Sequence, residues 1–406
     1  MKTITNPNKI KEVLDNSKIE RIYPSKSTLE KVLKSGKRLT IYHGIDPTGP
    51  QLHLGHSTNY FILRNLQKLG HKFILLIGDF TAMIGDPSDK SATRKPLTRE
   101  QVLRNARGYK KQLGKILDFS SKTNPIEIKF NSSWLDKLTF RELAEISANF
   151  TVFQLLKRDM FQQRIKKGRT IGLHEFLYPI MQGYDSVAMD VDMEVGGADQ
   201  MFNMLVGRDL MEKVKNKEKF VITTKLLIDP KTDKKIMNKS EGRYIALEDS
   251  AKEMYGKTMS LPDEVILTCL ELCTEVPQED LKKIKRELKS RMINPRDAKA
   301  RLAREIVTIY YSKTAAIKAE KEFNRIFKER KLPSQVKCYK LNVKSLNILD
   351  LLIKTKLAPS KSEAKRLIKQ GAVKLDNNII KDWQQKITFS KKAILQVGKR
   401  RFIKLI

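Results

Sequence analysis

The sequence predicts an α/β protein: a parallel-sheet domain over residues 1–245, an all-helical segment over 246–328, a linker at 329–345 and a small α+β module at 346–406. Three observations lead there. Residues 38–80 run strand, turn, helix, strand, a βαβ unit of the kind that builds parallel sheets with ligands at the strands' C-terminal ends. Beyond about residue 248 the apolar residues recur at helical spacing, as in "NPRDAKARLAREIVTIYYSK". The last 61 residues form a compact basic stretch with fifteen Lys or Arg against four Asp or Glu.

The elements follow in order. "RLTIYHGI" (38–45) is a buried strand, and Pro47, Thr48 and Gly49 turn the chain after it. "LGHSTNYFILRNLQKLG" (54–70) is an amphipathic helix that stops at Gly70. "KFILLIGDF" (72–80) is a second buried strand, followed by the loop "TAMIGDPSDKSATRKP". The pattern recurs where "DVDMEVGGADQ" leads from a strand into a helix at 198–213, and "FVITTKLLI" (220–228) gives another strand. The middle of this domain, roughly 98–185, carries inserted helices. In the helical segment, Asn294 and Pro295 form an N-cap and first-turn pair. In the last module, "APSKSEAKRLIKQGAVKLDNNII" reads as a Ser-capped basic helix, a turn at Gly371 and a short strand with an "NN" turn.

Composition narrows the class of protein. A chain of 406 residues, 40% hydrophobic and 31% charged, can bury a sizeable core and carries no sign of global disorder. No apolar run approaches the roughly 20 residues that span a bilayer. The first residues, "MKTITNPNKIKEVLDN", lack the apolar centre of a signal peptide, so a cytoplasmic location and no membrane partner are expected. Cys269, Cys273 and Cys338 include no Cys-x-x-Cys pair; this argues against zinc fingers and disulfides and predicts buried, reduced thiols. The formal charge of +34 suits a polyanionic partner, with a merely solvated lysine-rich surface as the plainer reading. Its concentration in the terminal module favours the former.

Two stretches carry candidate chemistry. "YHGIDPTGPQLHLGHS" (42–57) sets His53 and His56 three apart around Gly55. They could be metal ligands, catalytic bases, core residues or phosphate contacts. Their spacing is not the i, i+4 of helical zinc pairs, no third ligand accompanies them, and no orienting carboxylate is near. A helix that starts near Gly55 would instead offer free N–H groups and a positive dipole end to a phosphate, while the glycine would let a flat base approach. Taken alone, the motif leaves core packing as good a reading as function. "YPIMQGYD" places Tyr178, Gln182 and Asp185 at spacings of four and three, on one face of a helix. The apolar flanks argue against a solvated stripe.

"HLGH", between first strand and first helix, resembles the His-Ile-Gly-His signature of class I aminoacyl-tRNA synthetases. "KKIMNKSEGRYIAL" (234–247) resembles their Lys-Met-Ser-Lys-Ser loop: Met237, Lys239 and Ser240 match, Ile236 and Asn238 depart, and Lys235 stands one residue out of register. "YPIMQGYD" together with "GGADQ" (196–200), where Ala198 replaces a hydroxyl residue, resembles the bacterial tyrosyl-tRNA synthetases. The resemblance implies a Rossmann-like catalytic domain that activates L-tyrosine with ATP and Mg²⁺ and transfers it to tRNA(Tyr). It implies phosphate contacts and catalysis by Thr48, His53, His56 and Lys239. Gly44, Asp46, Gly55, Gly197, Asp199 and Ser240 would meet the nucleotide, with Lys90 and Arg94 at the pyrophosphate. Asp86, Tyr178 and Gln182 would hold the substrate ammonium, Tyr42 and Asp185 its phenol, and Gln200 would line the site. The terminal module resembles the alpha-L RNA-binding motif, with Lys361, Lys365, Arg366 and Lys369 toward tRNA phosphates and 246–328 on the anticodon side. A homodimer and no protein-bound metal are likewise implied. Asp185 with Gln182 and the terminal module speak against the tryptophanyl relative. The altered loop leaves one rival reading, a catalytically weak or dead RNA-binding paralogue.

Overall fold

The structure is a computed structural model describing residues 2–86, 97–238, 242–329, 336–341, 343, 345–388, 393–398 and 401–406. Contacts divide the chain into two units, Met1–Ala316 and Ile317–Ile406.

Six strands build the sheet of the first unit: β1 (Ile19–Tyr23), β2 (Thr40–Ile45), β3 (Lys72–Ile77), β4 (Glu127–Phe130), β5 (Met193–Gly197) and β6 (Phe220–Thr224), in the order β1-β6-β5-β2-β3-β4. Five strands run parallel, and β1 lies antiparallel on β6. The expected parallel sheet therefore carries one antiparallel edge. β1 exposes Glu20 and Arg21, charges that a doubly covered strand excludes and a sheet edge accepts. β4, inside the stretch expected to be helical, is four residues long with two of them charged, too short and polar to mark itself as a strand.

The chain climbs from β2 through α1 (Leu54–Lys68) to β3, continues outward to β4, then returns to the other side of β2 as β5 and β6. The direction of building reverses between β2 and β5, so a crevice opens beyond their C-terminal ends. Gly44, Asp46 and Gly197 stand there.

α2 (Leu173–Met189) and α3 (Met201–Lys215) pack against each other. Their close approach is set by Gly183. A Cβ there would stand 3.0 Å from Leu210 Cδ1, 3.0 Å from Val206 Cγ1 and 3.2 Å from the Gly207 amide nitrogen. Backbone cannot yield as a flexible side chain does, so Gly183→Ala is expected to destabilise the protein by about 1–3 kcal/mol, read from the urea midpoint at constant m-value.

The first unit continues into α4 (Ala251–Met259), α5 (Ile266–Cys273), α6 (Gln278–Lys289) and α7 (Pro295–Tyr310). The Asn294 side chain caps α7 by accepting from the Arg296 amide at 2.9 Å, with Pro295 in the first turn. Leu302, Ala303, Ile306 and Val307 of α7 are buried, and α7 packs on α4 and α5. Cys269 and Cys273 are buried in α5 as expected; Cys338 is exposed, contrary to expectation, because its strand closes the edge of a sheet.

That sheet belongs to the second unit. β7 (Lys337–Tyr339), β9 (Val373–Leu375), β10 (Asn378–Ile379), β12 (Ala393–Val397) and β13 (Arg401–Leu405) form it in the order β10-β9-β12-β13-β7, while β8 (Ser345–Asn347) pairs with β11 (Lys386–Thr388). β7 lies within the stretch expected as a linker. α8 (Ile348–Lys354) and α9 (Lys361–Lys369) share a core with the sheet through Leu351, Leu352, Leu367, Ile368 and Leu395. The hairpin turn between β9 and β10 falls on Asp376 and Asn377, both at positive φ, one residue before the expected "NN". A two-residue turn of this hand needs left-handed backbone at both central positions, which Asp and Asn tolerate.

Candidate active site at the sheet switch point

His53 is the N-cap of α1. Its Nδ1 accepts the Gly55 amide at 3.2 Å, and His56 Nδ1 accepts the His53 amide at 3.1 Å. With its Nδ1 acting as acceptor, a neutral His53 ring carries its proton on Nε2, the donor form that a phosphoryl oxygen requires, while His56 Nδ1 also lies 3.2 Å from the His53 carbonyl oxygen. The two rings lie 3.9 Å apart at the helix's positive end. The space that Gly55 leaves is taken by the His53 ring and by Met237, whose atoms a Cβ would meet at 3.1 and 3.7 Å.

The segment that resembles the second signature is stitched to the first. The Leu54 amide donates to the Ile245 carbonyl at 3.1 Å, and the Leu247 amide to that of Leu52 at 2.9 Å. Asn238 and Arg243 exchange backbone hydrogen bonds of 2.8 and 3.0 Å. Met237 is buried. Lys235 Nζ reaches Asp199 Oδ2 at 3.0 Å, joining this segment to "GGADQ". Lys239 and Ser240 lie outside the described residues, as do Lys90 and Arg94.

α2 delivers Tyr178, Gln182 and Asp185 to the crevice on one face, and two chains of hydrogen bonds run through them. In the first, Tyr178 Oη donates to Asp46 Oδ2 at 2.8 Å and Thr81 Oγ1 donates to Asp46 Oδ1 at 2.7 Å. Asn131 Nδ2 donates to Thr81 Oγ1 at 3.0 Å and to Asp185 Oδ2 at 3.3 Å, and Trp134 Nε1 donates to Asp185 Oδ1 at 2.8 Å. Asp185 is 2% exposed, and burial raises its carboxyl well above the usual range. Gly78 makes this chain possible, since a Cβ there would fall 2.0 Å from Asp46 Oδ1. In the second chain the fully buried Tyr42 bonds through its hydroxyl to Ser186 Oγ at 2.9 Å. Gln182 Nε2 donates to Glu194 Oε1 at 3.1 Å, and Asn203 Nδ2 donates to both Gln182 Oε1 at 2.9 Å and Gln200 Oε1 at 3.0 Å. Gln200 Nε2 ends the chain on Asp86 Oδ2 at 2.7 Å. Gly44 and Thr48 are exposed at the mouth of β2.

Burial pushes the Asp46 carboxyl up to about 7 from 3.8, and the nearby Asp86 and Asp79 add to the shift, while the bonds from Thr81 and Tyr178 oppose it. The native protein thus holds a proton there that the unfolded chain has already released between pH about 4 and about 7. Stability is expected to fall as pH rises through that window and then to level off. Asp46→Asn should flatten this part of the curve, as urea midpoints at pH 4.5 and 7.5 would show.

Among the described residues no group of three or more His, Cys, Asp or Glu could hold a metal ion. The structure also adds Thr81, Asn131, Trp134, Ser186, Glu194, Asn203 and Lys219 to the site. Two of these left a trace in the sequence: Glu194 is the charged residue inside the apolar run "MEVGG", and Lys219 stands directly before "FVITT".

In the second unit Ser360 caps α9 by accepting the Glu363 amide at 3.2 Å. Lys361 pairs with Asp350 at 2.8 Å, Arg366 clasps Glu363 at 2.8 and 2.9 Å, Lys365 lies over the Trp383 ring at 3.7 Å, and Lys369 is exposed.

A parallel sheet with its switch point beside a histidine-capped helix, hydrogen-bonded to a second signature segment, is the arrangement of a class I aminoacyl-tRNA synthetase. The chain belongs to the tRNA synthetases class I (W and Y), whose family profile matches residues 34–328. The profile "Tyrosine--tRNA ligase SYY-like C-terminal domain" matches residues 328–405. A Tyrosine--tRNA ligase of Moorella thermoacetica is 46% identical over 377 residues, covering 93% of this chain and 90% of that protein. A Tyrosine--tRNA ligase of Thermotoga maritima is 42% identical, covering 93% and 92%. The C-terminally truncated mitochondrial tyrosyl-tRNA synthetase of Aspergillus nidulans shares the fold with a TM-score of 0.64 at 22% identity, covering 79% of this chain and 94% of that one.

Proposed function

We propose that this chain is a tyrosine–tRNA ligase. It activates L-tyrosine with ATP to tyrosyl-adenylate and pyrophosphate, then passes the tyrosyl group to the 3′-terminal ribose of tRNA(Tyr). Relatives of that name covering more than nine-tenths of the chain support the reading, and one observation in the structure carries its specificity. Asp185 is a buried carboxylate on an apolar helix with one donor on each oxygen. Each oxygen keeps a lone pair for another donor, which suits a phenol hydroxyl.

In the first step a tyrosine carboxylate oxygen bonds to the α-phosphorus of ATP as the bond to pyrophosphate breaks. The protein supplies position and charge stabilisation. The imidazoles of His53 and His56 at the positive end of α1 stabilise the developing phosphoryl charge, together with Thr48 and Lys239. Tyr178, Gln182 and Asp86 hold the ammonium, and Gly197 and Asp199 the ribose. Mg²⁺ accompanies ATP and neutralises triphosphate charge. Residues 1–245 form the catalytic domain and 246–328 the anticodon-side segment, while residues 346–406 contact tRNA through α9. Phe140, Val152, Phe153, Ile165 and Leu173 are exposed large apolar residues between β4 and β5; such a concentration supports a homodimer, testable by sedimentation equilibrium. No helix among the described residues is long and apolar enough to cross a membrane, in keeping with a cytoplasmic enzyme.

Amino-acid-dependent exchange of labelled pyrophosphate into ATP tests the function. Exchange with tyrosine and background signal with phenylalanine and tryptophan are expected. Exchange with tryptophan alone would indicate the tryptophanyl relative, and no exchange with any amino acid, despite tRNA binding, an RNA-binding paralogue.

A further inference from the structure

Lys219 and Glu194 form an ion pair sealed inside the first unit, 0% and 3% exposed. The Lys219 ammonium has three donors, and the structure gives it three acceptors: a Glu194 carboxylate oxygen, Ser186 Oγ at 2.8 Å and the Met204 carbonyl at 3.2 Å. A pair this deep gives no net stability over well-packed apolar residues of similar size, because two charges must leave water to form it. Its consequence lies in what Glu194 does next. A carboxylate held by a lysine can only accept hydrogen bonds. Gln182, 3.1 Å away, must therefore turn its NH₂ toward Glu194; the reversed carboxamide would set two oxygens against each other. The Gln182 oxygen then faces the other way, where it takes the Asn203 amide at 2.9 Å and keeps one lone pair.

We propose that Lys219, acting through Glu194, is a positioning residue that points the Gln182 carbonyl oxygen at the ammonium group of the bound amino acid. The inference rests on the tyrosine-activating function proposed above. Stripped of its cation, a carboxyl as buried as Glu194 takes up a proton and becomes a donor. Gln182 then turns its oxygen to Glu194 and its NH₂ to the substrate, presenting a donor to a group that itself only donates.

The test uses the full-length protein with Lys219→Met and the double variant Glu194→Gln/Lys219→Met. Both are read by pyrophosphate exchange, and by binding of tyrosine against 3-(4-hydroxyphenyl)propanoate, which lacks the ammonium. Lys219→Met should raise the KM for tyrosine about tenfold or more and leave the KM for ATP within about twofold. It should also shrink the preference for tyrosine over the propanoate by about tenfold, a ratio that general loosening of the fold does not move. In the double variant a neutral carboxamide again offers an oxygen to Gln182, so the tyrosine KM should return to within about threefold of wild type. This variant keeps the proposal testable if the single one does not fold. An unchanged tyrosine-to-propanoate ratio in folded Lys219→Met, or a double variant as impaired as the single, overturns the proposal. Absence of tyrosine-dependent exchange in the wild type would instead remove the function it rests on.

Discussion

His53→Asn should lower the rate of tyrosine-dependent pyrophosphate exchange by about 10²–10³-fold, the loss that follows removal of one donor aimed at developing charge. The substitution separates the capping role of His53 from the phosphoryl contact proposed for it. As N-cap of α1, His53 accepts the Gly55 amide. Asparagine is at least as good a cap, so urea stability should stay within about 0.5 kcal/mol of wild type. The outer nitrogen of the ring, which asparagine cannot place at the same distance, is lost. The deficit should therefore fall on kcat with little change in the KM for tyrosine. Equal activity of variant and wild type would return His53 to a purely structural cap.

The second large effect belongs to Asp185. Asp185→Asn replaces one acceptor oxygen by an NH₂ donor while keeping the shape of the site. A buried donor or acceptor left without its partner costs about 1–3 kcal/mol, so kcat/KM for tyrosine should fall about 10–10²-fold. Phenylalanine has no hydroxyl to lose, and its residual activation should change little, so the preference between the two amino acids should narrow by the same factor. Trp134 Nε1 and Asn131 Nδ2 hold the carboxylate at 2.8 and 3.3 Å. Asn131→Ala is expected to act in the same direction more weakly, since one neutral hydrogen bond is worth about 0.5–1.5 kcal/mol. A variant Asp185→Asn that kept full discrimination would place recognition of the phenol elsewhere.

What could be read from residue order alone was whatever repeats at short range. The period of 3.6 put Tyr178, Gln182 and Asp185 on one face of α2, and the glycine after the last apolar turn ended α1 within two residues of its expected stop. The histidine motif, lying between a strand and a helix, could be placed at a helix start, but not given one role among four. Tertiary structure settled the rest, because contacts between residues distant in sequence leave no period behind. The antiparallel β1 follows from its meeting with β6 some 200 residues later. The Thr81–Asn131–Asp185 chain spans three elements, and β4 announced itself only by pairing with β3. Lys219 and Glu194 are 25 residues apart on neighbouring segments of the sheet. In sequence each is one more charge in a chain of +34, and only exclusion from water makes each the other's necessary partner.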